Sequence, residues 1–332
     1  MGADRSSLLR AKIRSLVTGH LGAGERTSLD FPGGAALVSG GCSWVMLDAD
    51  PVKAFGSALV WADRQGTPDV HVLVESDAEV LARRASCFDP SPAVWRIDGT
   101  SLVIAEAAPP ASSPPAPPSP GLAELLVDAD LEVIVEGGVV RGEINGLEVA
   151  RIVHGTSTSG VPLDAPLLEV GVGHADRELT MMLHGSLSPV DQLARVSEIV
   201  RTHRRAGAEP HPLYQMAPER WLRARLVVDP GRVGLVRLRP IAPAIQRPNL
   251  RDRAVAIALG EAATGAPVVV ACSVGVDLDL VPSAADARLS AAPDAELLLV
   301  VPERDAHPVT KALAARLRQP AELVTVGEDW RR

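Results

Sequence analysis

The pattern of this chain predicts an α/β protein in two parts. An N-terminal α/β domain comes first, a Pro-rich linker follows, and a C-terminal α/β domain with a mixed sheet completes it. Three observations lead there. Short apolar runs alternate with amphipathic, helix-periodic stretches along most of the sequence. At 332 residues the chain is long for one average core and short for three. The segment PPASSPPAPPSP at 109–120 has no amide donors at its prolines and can join neither helix nor sheet. The expected boundaries are therefore 1–108, 109–120 and 121–332, with a subdivision near 240–250.

In the first part, Leu8, Leu9, Ile13 and Leu16 stand at three- and four-residue steps and predict a helix over 6–20. AALVSG (35–40) and SWVMLDA (43–49) read as strands joined at Gly40-Gly41. Asp50-Pro51 supplies a cap and a first helical position for a helix to about Asp63. VHVLVE (70–75) is a continuous apolar strand, and Asp77 is placed to cap a helix through Cys87. AVWRI (93–97) and SLVIAEA (101–107) predict a hairpin about Asp98-Gly99.

The second part opens with a short helix over 121–130. Strands EVIVE (132–136), GLEVARIV (146–153) and LLEVGVG (167–173) follow, and Ser188-Pro189 starts a helix to about Arg205. The core face of that helix is expected at Val190, Leu193, Val196 or Ser197, and Val200. The αβββα order then gives way to an irregular Arg- and Pro-rich stretch, 206–253, holding two expected strands, RLVVD (225–229) and GLVRLR (234–239). After it come a helix over 251–263, a strand over 267–274, a loop or short helix over 282–291, a strand over 295–302, a helix over 308–318 and a strand over 321–327. Apolar strands with helices between them predict largely parallel βαβ units. PDVHVLVESDAEVLARRA in the first part is similar to PDAELLLVVPERDAHPVTKALAAR in the second, a likeness that any two strand–helix units can share.

Composition limits the function classes. Apolar residues make up 46% and charged residues 22%, as in ordinary globular proteins, while aromatics are 3%, so the cores must be aliphatic. Lysine occurs only at 12, 53 and 311, and the Arg, Ala, Gly and Pro bias is what a GC-rich bacterial genome produces. No run reaches the roughly 18–20 apolar residues of a membrane span, and the N-terminus shows no apolar signal core. The expectation is a cytoplasmic protein with no membrane partner. Cys42, Cys87 and Cys272 are odd in number and widely spaced, which predicts buried free thiols, neither disulfides nor a zinc site.

Charge is segregated. Over 201–253 twelve arginines face four acids, +8 in a chain whose total is −8. Arg204, Arg205, Arg220, Arg223 and Arg225, with Trp221 to stack on bases, form a candidate nucleic-acid face. The competing reading is internal ion pairing, for which Arg is favoured.

The best candidate for chemistry lies in 143–178, where Glu148 sits on one strand and Glu169 on the next, with Asp164 between them. The αβββαβ order with carboxylates on the second and third strands resembles the PD-(D/E)XK nuclease-like superfamily over about 121–230. That resemblance implies that Glu148 (or Asp164) and Glu169 hold a divalent metal, Mg²⁺ or Mn²⁺, and act catalytically on nucleic acid. The lysine position of the pattern is Gly171, and the nearest cations are Arg151 and Arg177. The fold would thus carry an active or a decayed nuclease-like protein.

Other groups are weaker. His174, Asp176 and His184 have no zinc spacing and read as exposed loop residues. Gly171-Val172-Gly173 lacks a third Gly and an expected helix start, and Ser273-Val274-Gly275 has Ala271 where a nucleophile elbow needs Gly. Asp277 and Asp279 follow the end of a predicted parallel strand, where ligands of α/β sheets bind, and form the alternative site of a small-molecule enzyme. The other alternative is a noncatalytic protein-interaction or scaffold protein with a protein partner.

Overall fold

A computed structural model of the chain describes residues 2–184, 187–246, 249 and 252–331. Helix α1 (Gly2–Leu21), strands β1 (Thr27–Leu29), β2 (Gly34–Ser39) and β3 (Cys42–Leu47), α2 (Pro51–Gln65), β4 (Asp69–Val74), α3 (Ala78–Ala85), β5 (Ala93–Asp98) and β6 (Ser101–Ile104) come first. Next are α4 (Leu122–Asp128), β7 (Glu132–Glu136), β8 (Val139–Ile144), β9 (Leu147–Val153), β10 (Leu167–Val170), α5 (Gly173–His184), α6 (Pro189–His203), α7 (Pro212–Gln215) and α8 (Pro218–Val228). The chain closes with β11 (Leu235–Pro240), β12 (Ala256–Ala262), β13 (Pro267–Cys272), α9 (Leu280–Ala291), β14 (Glu296–Pro302), α10 (Pro308–Ala314) and β15 (Glu322–Val326). The fold is α/β with mixed parallel and antiparallel strands, as the alternation predicts.

One compact unit comprises 1–110, 276–297 and 306–323; the other comprises 111–275, 298–305 and 324–332. The expected single C-terminal block 121–332 is therefore interrupted, because α9 and α10 group with α2 and α3.

In the first unit a six-stranded sheet runs in chain order, β1 to β6. Ile13, Leu16 and Val17 of α1 cover one face over Leu37, Trp44, Met46 and Leu73. The alternate residues Ala36, Val45, Val72 and Val74 are also buried, so both faces are covered. Asp50 and Pro51 start α2 as expected, with the Asp50 carboxylate accepting from the Lys53 amide. Asp77 stands at the start of α3 but in the left-handed region, φ 60°, and its side chain makes no capping bond. Helices α2, α3, α9 and α10 form one layer. Gly56 of α2 is required there, because a Cβ would overlap the Leu278 carbonyl. Two buried arginines tie the layer together: Arg83 Nε donates to Asp286 Oδ1 at 2.7 Å, and Arg84 Nη1 to Asp279 Oδ1 at 2.7 Å.

In the second unit a four-stranded antiparallel meander, β10-β9-β8-β7, packs on α4 and α6 through Leu126, Leu147, Val149, Leu168, Leu193 and Val200. Val190 of α6, expected in the core, is exposed, and Ser197 takes a buried place. A five-stranded sheet, β11 to β15 in chain order, packs on α8 through Trp221, Leu222 and Leu226. Pro109–Pro120 joins neither helix nor strand.

The weak likeness between the two strand–helix fragments extends to whole element orders. Helix–β–β–β–α–β–α–β describes α1 to β5 and again α8 to β15, and in both sheets the strands lie in chain order. In the first unit the residues after α3 and after α10 meet reciprocally. The Asp89 amide donates to the Arg316 carbonyl and the Arg318 amide to the Cys87 carbonyl, both at 2.8 Å, about a Phe88–Leu317 bridge. The bridge thus joins the two turns that hold corresponding places in the two element orders.

Several expected elements differ. β1 and β8 were not anticipated. The run 167–173 stops at Val170, and a helix starts at Gly173. RLVVD is the end of α8, because Pro218 starts a helix whose Trp221, Leu222 and Leu226 recur at helical spacing, overriding the β preference of the two valines. The stretch 251–263, Ala-rich and read as helix, contains β12, an interior strand between β11 and β13. Residues 282–291 belong to a full helix, α9.

Candidate functional site

The site grows out of a tight turn and a bulge. Asn145 (φ 48°) and Gly146 (φ 71°) are both left-handed, the geometry of a two-residue hairpin turn, and they set β8 against β9. Gly146 cannot be larger, since a Cβ would overlap the Arg220 carbonyl of α8. Between Gly142 and Glu143 the register shifts, so β9 carries one extra residue opposite β8. The shift brings Glu148 to the side of Arg151, three residues on, which an unbulged strand would send to the other face. Arg141 then lies opposite Arg151, and Arg151 opposite Glu169.

Glu148 is 1% exposed and is held by three guanidinium groups. Arg151 Nε and Arg177 Nη1 donate to Oε1 at 2.6 and 2.9 Å, and Arg141 Nη1 donates to Oε2 at 2.6 Å. Burial alone would raise the carboxyl, but Arg141, Arg151 and Arg177 outweigh it and hold Glu148 below its ordinary range. Glu169, 2% exposed, accepts from the Thr158 amide at 2.5 Å and from the Thr158 hydroxyl, with Arg177 Nε at 3.9 Å.

A second cluster adjoins it. Arg220 and Arg223, one turn apart on α8, each bridge Glu136 of β7 and Glu143 of β8, at 2.6 and 2.5 Å from Arg220 and 3.2 and 3.1 Å from Arg223. Two arginines on two glutamates make a charge-balanced quartet, the bidentate pairing for which Arg is suited. Burial opposes the charge of Glu136, yet Arg220, Arg223 and Arg141 bring it to about 2. Glu132, across from Glu143, gains no such partner. Burial and the Glu143 charge push it up to about 7, against one hydrogen bond from the Asn145 amide at 3.1 Å.

Glu136, Arg141, Glu148, Arg151, Arg177 and Arg220 line a cavity of 210 Å³ together with Thr158, Gly173, His174, Pro243, Gln246 and Asn249. The arrangement is that of carboxylates held by arginine. A hard cation needs oxygen ligands with free lone pairs at about 2.0–2.6 Å, and Glu148 and Glu169 already direct theirs at donors. Among the described residues no group of three or more His, Cys, Asp or Glu side chains is placed to hold a metal ion. The residues do not fit the Mg²⁺ or Mn²⁺ centre that the superfamily resemblance implies.

The other expected site residues are scattered. Asp164 is exposed in the β9–β10 loop and is not drawn into the cluster. His174 is the second residue of α5, exposed, with Nε2 at 3.1 Å from the Thr158 carbonyl; the side chain of His184 lies outside the described residues. Arg204, Arg220, Trp221 and Arg223 are buried, so the expected nucleic-acid face is largely core. Arg204 donates to the carbonyls of Asn145, Leu213, Met216 and Ala217, between 2.6 and 3.1 Å, and stacks over Trp221. Trp221 packs edge-on against Tyr214 and Trp330. Arg205 is exposed, Arg225 half-buried, and Arg247 and Arg251 lie outside the described residues.

Asp277 and Asp279 are spent locally in the first unit. The Asp277 carboxylate accepts from the Asp279 amide at 2.9 Å, and Asp279 accepts from Arg84 and from Ser283 Oγ, both at 2.7 Å. Burial raises the Asp279 carboxyl to about 6, with Arg84 opposing.

Glu132, Glu136, Glu143 and Arg141 were missed as site residues because β8 was missed. The signal was present in EVIVEGGVVRGEINGLEV, where Gly137-Gly138 and Asn145-Gly146 are turn pairs flanking a six-residue run. No family model, curated protein or solved structure matches the chain.

Proposed function

We propose that the chain is a noncatalytic protein-interaction or scaffold protein and that the nuclease-like hairpin serves to build its fold. The observation that carries this reading is the capture of Glu148 by Arg141, Arg151 and Arg177. A general base or metal ligand needs a carboxylate whose lone pairs are offered to the reacting site; here they are directed at guanidinium groups. The same economy applies to the expected nucleic-acid residues, since Arg204, Arg220 and Arg223 donate to internal acceptors. An acidic whole chain also argues against strong nonspecific DNA binding.

The test combines two measurements on the full chain. Calorimetric titration with Mg²⁺ and Mn²⁺, and binding of labelled single- and double-stranded DNA at low salt, are expected to give neither saturable metal binding nor salt-dependent DNA affinity. Native purification is expected to retain a stoichiometric protein partner and no nucleic acid. Metal-dependent cleavage of DNA that disappears in Glu148→Gln would overturn the reading.

A further inference from the structure

The balance of charge around the cavity is uneven. Arg220 and Arg223 are matched by Glu136 and Glu143. Arg141, Arg151 and Arg177 converge on Glu148, with Glu169 as a further acid, 3.9 Å from Arg177 and already engaged by Thr158, and with Glu136 of the quartet 4.0 Å from Arg141. Over the two adjoining clusters five guanidinium charges therefore meet four carboxylates, a surplus of one positive charge at a mostly buried place. Guanidinium donors are in surplus too. Nε of Arg141 and Nε of Arg177 are buried with no hydrogen-bond partner among the described residues, and Arg177 is 5% exposed. A buried charge without a full counter-charge destabilises a fold unless something completes it.

The geometry points to a small phosphate-bearing ligand, free phosphate or a phosphate monoester, bound in this 210 Å³ cavity between Arg141, Arg151 and Arg177. A phosphate carries several acceptor oxygens and matches the forked donors of arginine. It also balances a cationic surplus that a neutral ligand would leave. The opening of α5 at Gly173 and His174 lies on the same cavity wall, where the positive end of a twelve-residue helix favours an anion. The volume is below the roughly 300–1,000 Å³ of drug-sized pockets, which restricts the ligand to phosphate itself or a short ester. Glu148 stays in place as the brace that sets the three arginines.

The proposal goes beyond the noncatalytic reading, and the two fail separately: a blank phosphate titration leaves the metal and DNA results standing. The experiment titrates inorganic phosphate and, in parallel, methyl phosphate into the full chain at constant ionic strength, following heat and backbone amide shifts. Saturable binding is expected, with the largest shifts at Thr158, Gly173 and His174. Arg151→Met is expected to weaken binding at least tenfold, and Arg205→Met, which alters an exposed residue outside the cavity, to leave it unchanged. Tighter binding of the ester assigns an esterified ligand, and equal or weaker binding assigns free phosphate. Amide mapping on the unaltered chain keeps the test decisive if Arg151→Met fails to fold. Shifts that grow linearly and are matched by chloride, or that centre away from the cavity, would overturn the proposal, as would Arg151→Met binding as tightly as the unaltered chain.

Discussion

Glu132 gives the chain a measurable dependence of stability on pH. It lies half-buried at the edge of the carboxylate row, opposite Glu143, and burial together with that neighbour moves its carboxyl from an ordinary 4.5 to about 7. A folded-state value above the unfolded one means that the folded chain holds the proton more tightly. The contribution to stability is therefore complete below about 4.5 and is lost as pH rises through about 7. The span corresponds to about 3 kcal/mol at most, with a slope of up to about 1.4 kcal/mol per pH unit between those values. Glu132→Gln replaces the ionisable oxygen with an amide and retains an acceptor for the Asn145 amide. Chemical denaturation from pH 5 to 8 is expected to show the variant more stable than the unaltered chain at pH 8, by about 2–3 kcal/mol, and nearly equal to it at pH 5. His71, which burial lowers, and Asp279, raised to about 6, titrate in the same window in both proteins and cancel from the difference. Parallel pH profiles for the two proteins, or a variant less stable at pH 8, would refute this reasoning.

Other outcomes follow from the same contacts. Asp286→Asn, which strips the acid shared by Arg83 and Arg84 in the helix layer, should cost about 3–5 kcal/mol in denaturant melts of the first unit. Gly146→Ala should lose about 1–3 kcal/mol from its left-handed backbone alone, with more from overlap with Arg220, readable as faster amide exchange in β8 and β9. Below pH 4 the sign reverses. Glu136, held at about 2, contributes stability that is present above its ordinary 4.5 and lost as acid carries it through about 2, so Glu136→Gln should flatten the acid limb of the denaturation curve.

Periodicity made much of this fold legible. Asp50-Pro51 and Ser188-Pro189 announced their helices, and the continuous apolar strands announced a sheet covered on both faces. Where local preference and tertiary context disagreed, context won. Val227 and Val228 end a helix because Trp221 and Leu226 anchor it, and the alanines of β12 lie in a sheet interior where small side chains pack. The candidate site was legible only in part. Glu148 and Glu169 are visible in the sequence as acids on adjacent strands, but their partners come from β8, the loop after β9 and α5, as far as 29 residues along the chain for the Arg177–Glu148 pair, and the neighbouring quartet spans 87 residues for Arg223–Glu136. The arginine surplus of 201–253 was visible as charge. That it would turn inward depended on Arg220 and Arg223 facing Glu143, on a strand hidden between two glycine turns, and Glu136 of the strand before it.

The stability of Glu148→Gln tests the central claim most directly. Carboxylates gathered to await a cation repel one another, and neutralising one stabilises the metal-free protein. A carboxylate held by three arginines does the reverse, and its loss leaves buried guanidinium charge uncompensated. Equilibrium denaturation of the full-length variant at pH 7 is expected to show a loss of about 3–5 kcal/mol. A variant as stable as the unaltered chain, or more stable, would contradict it.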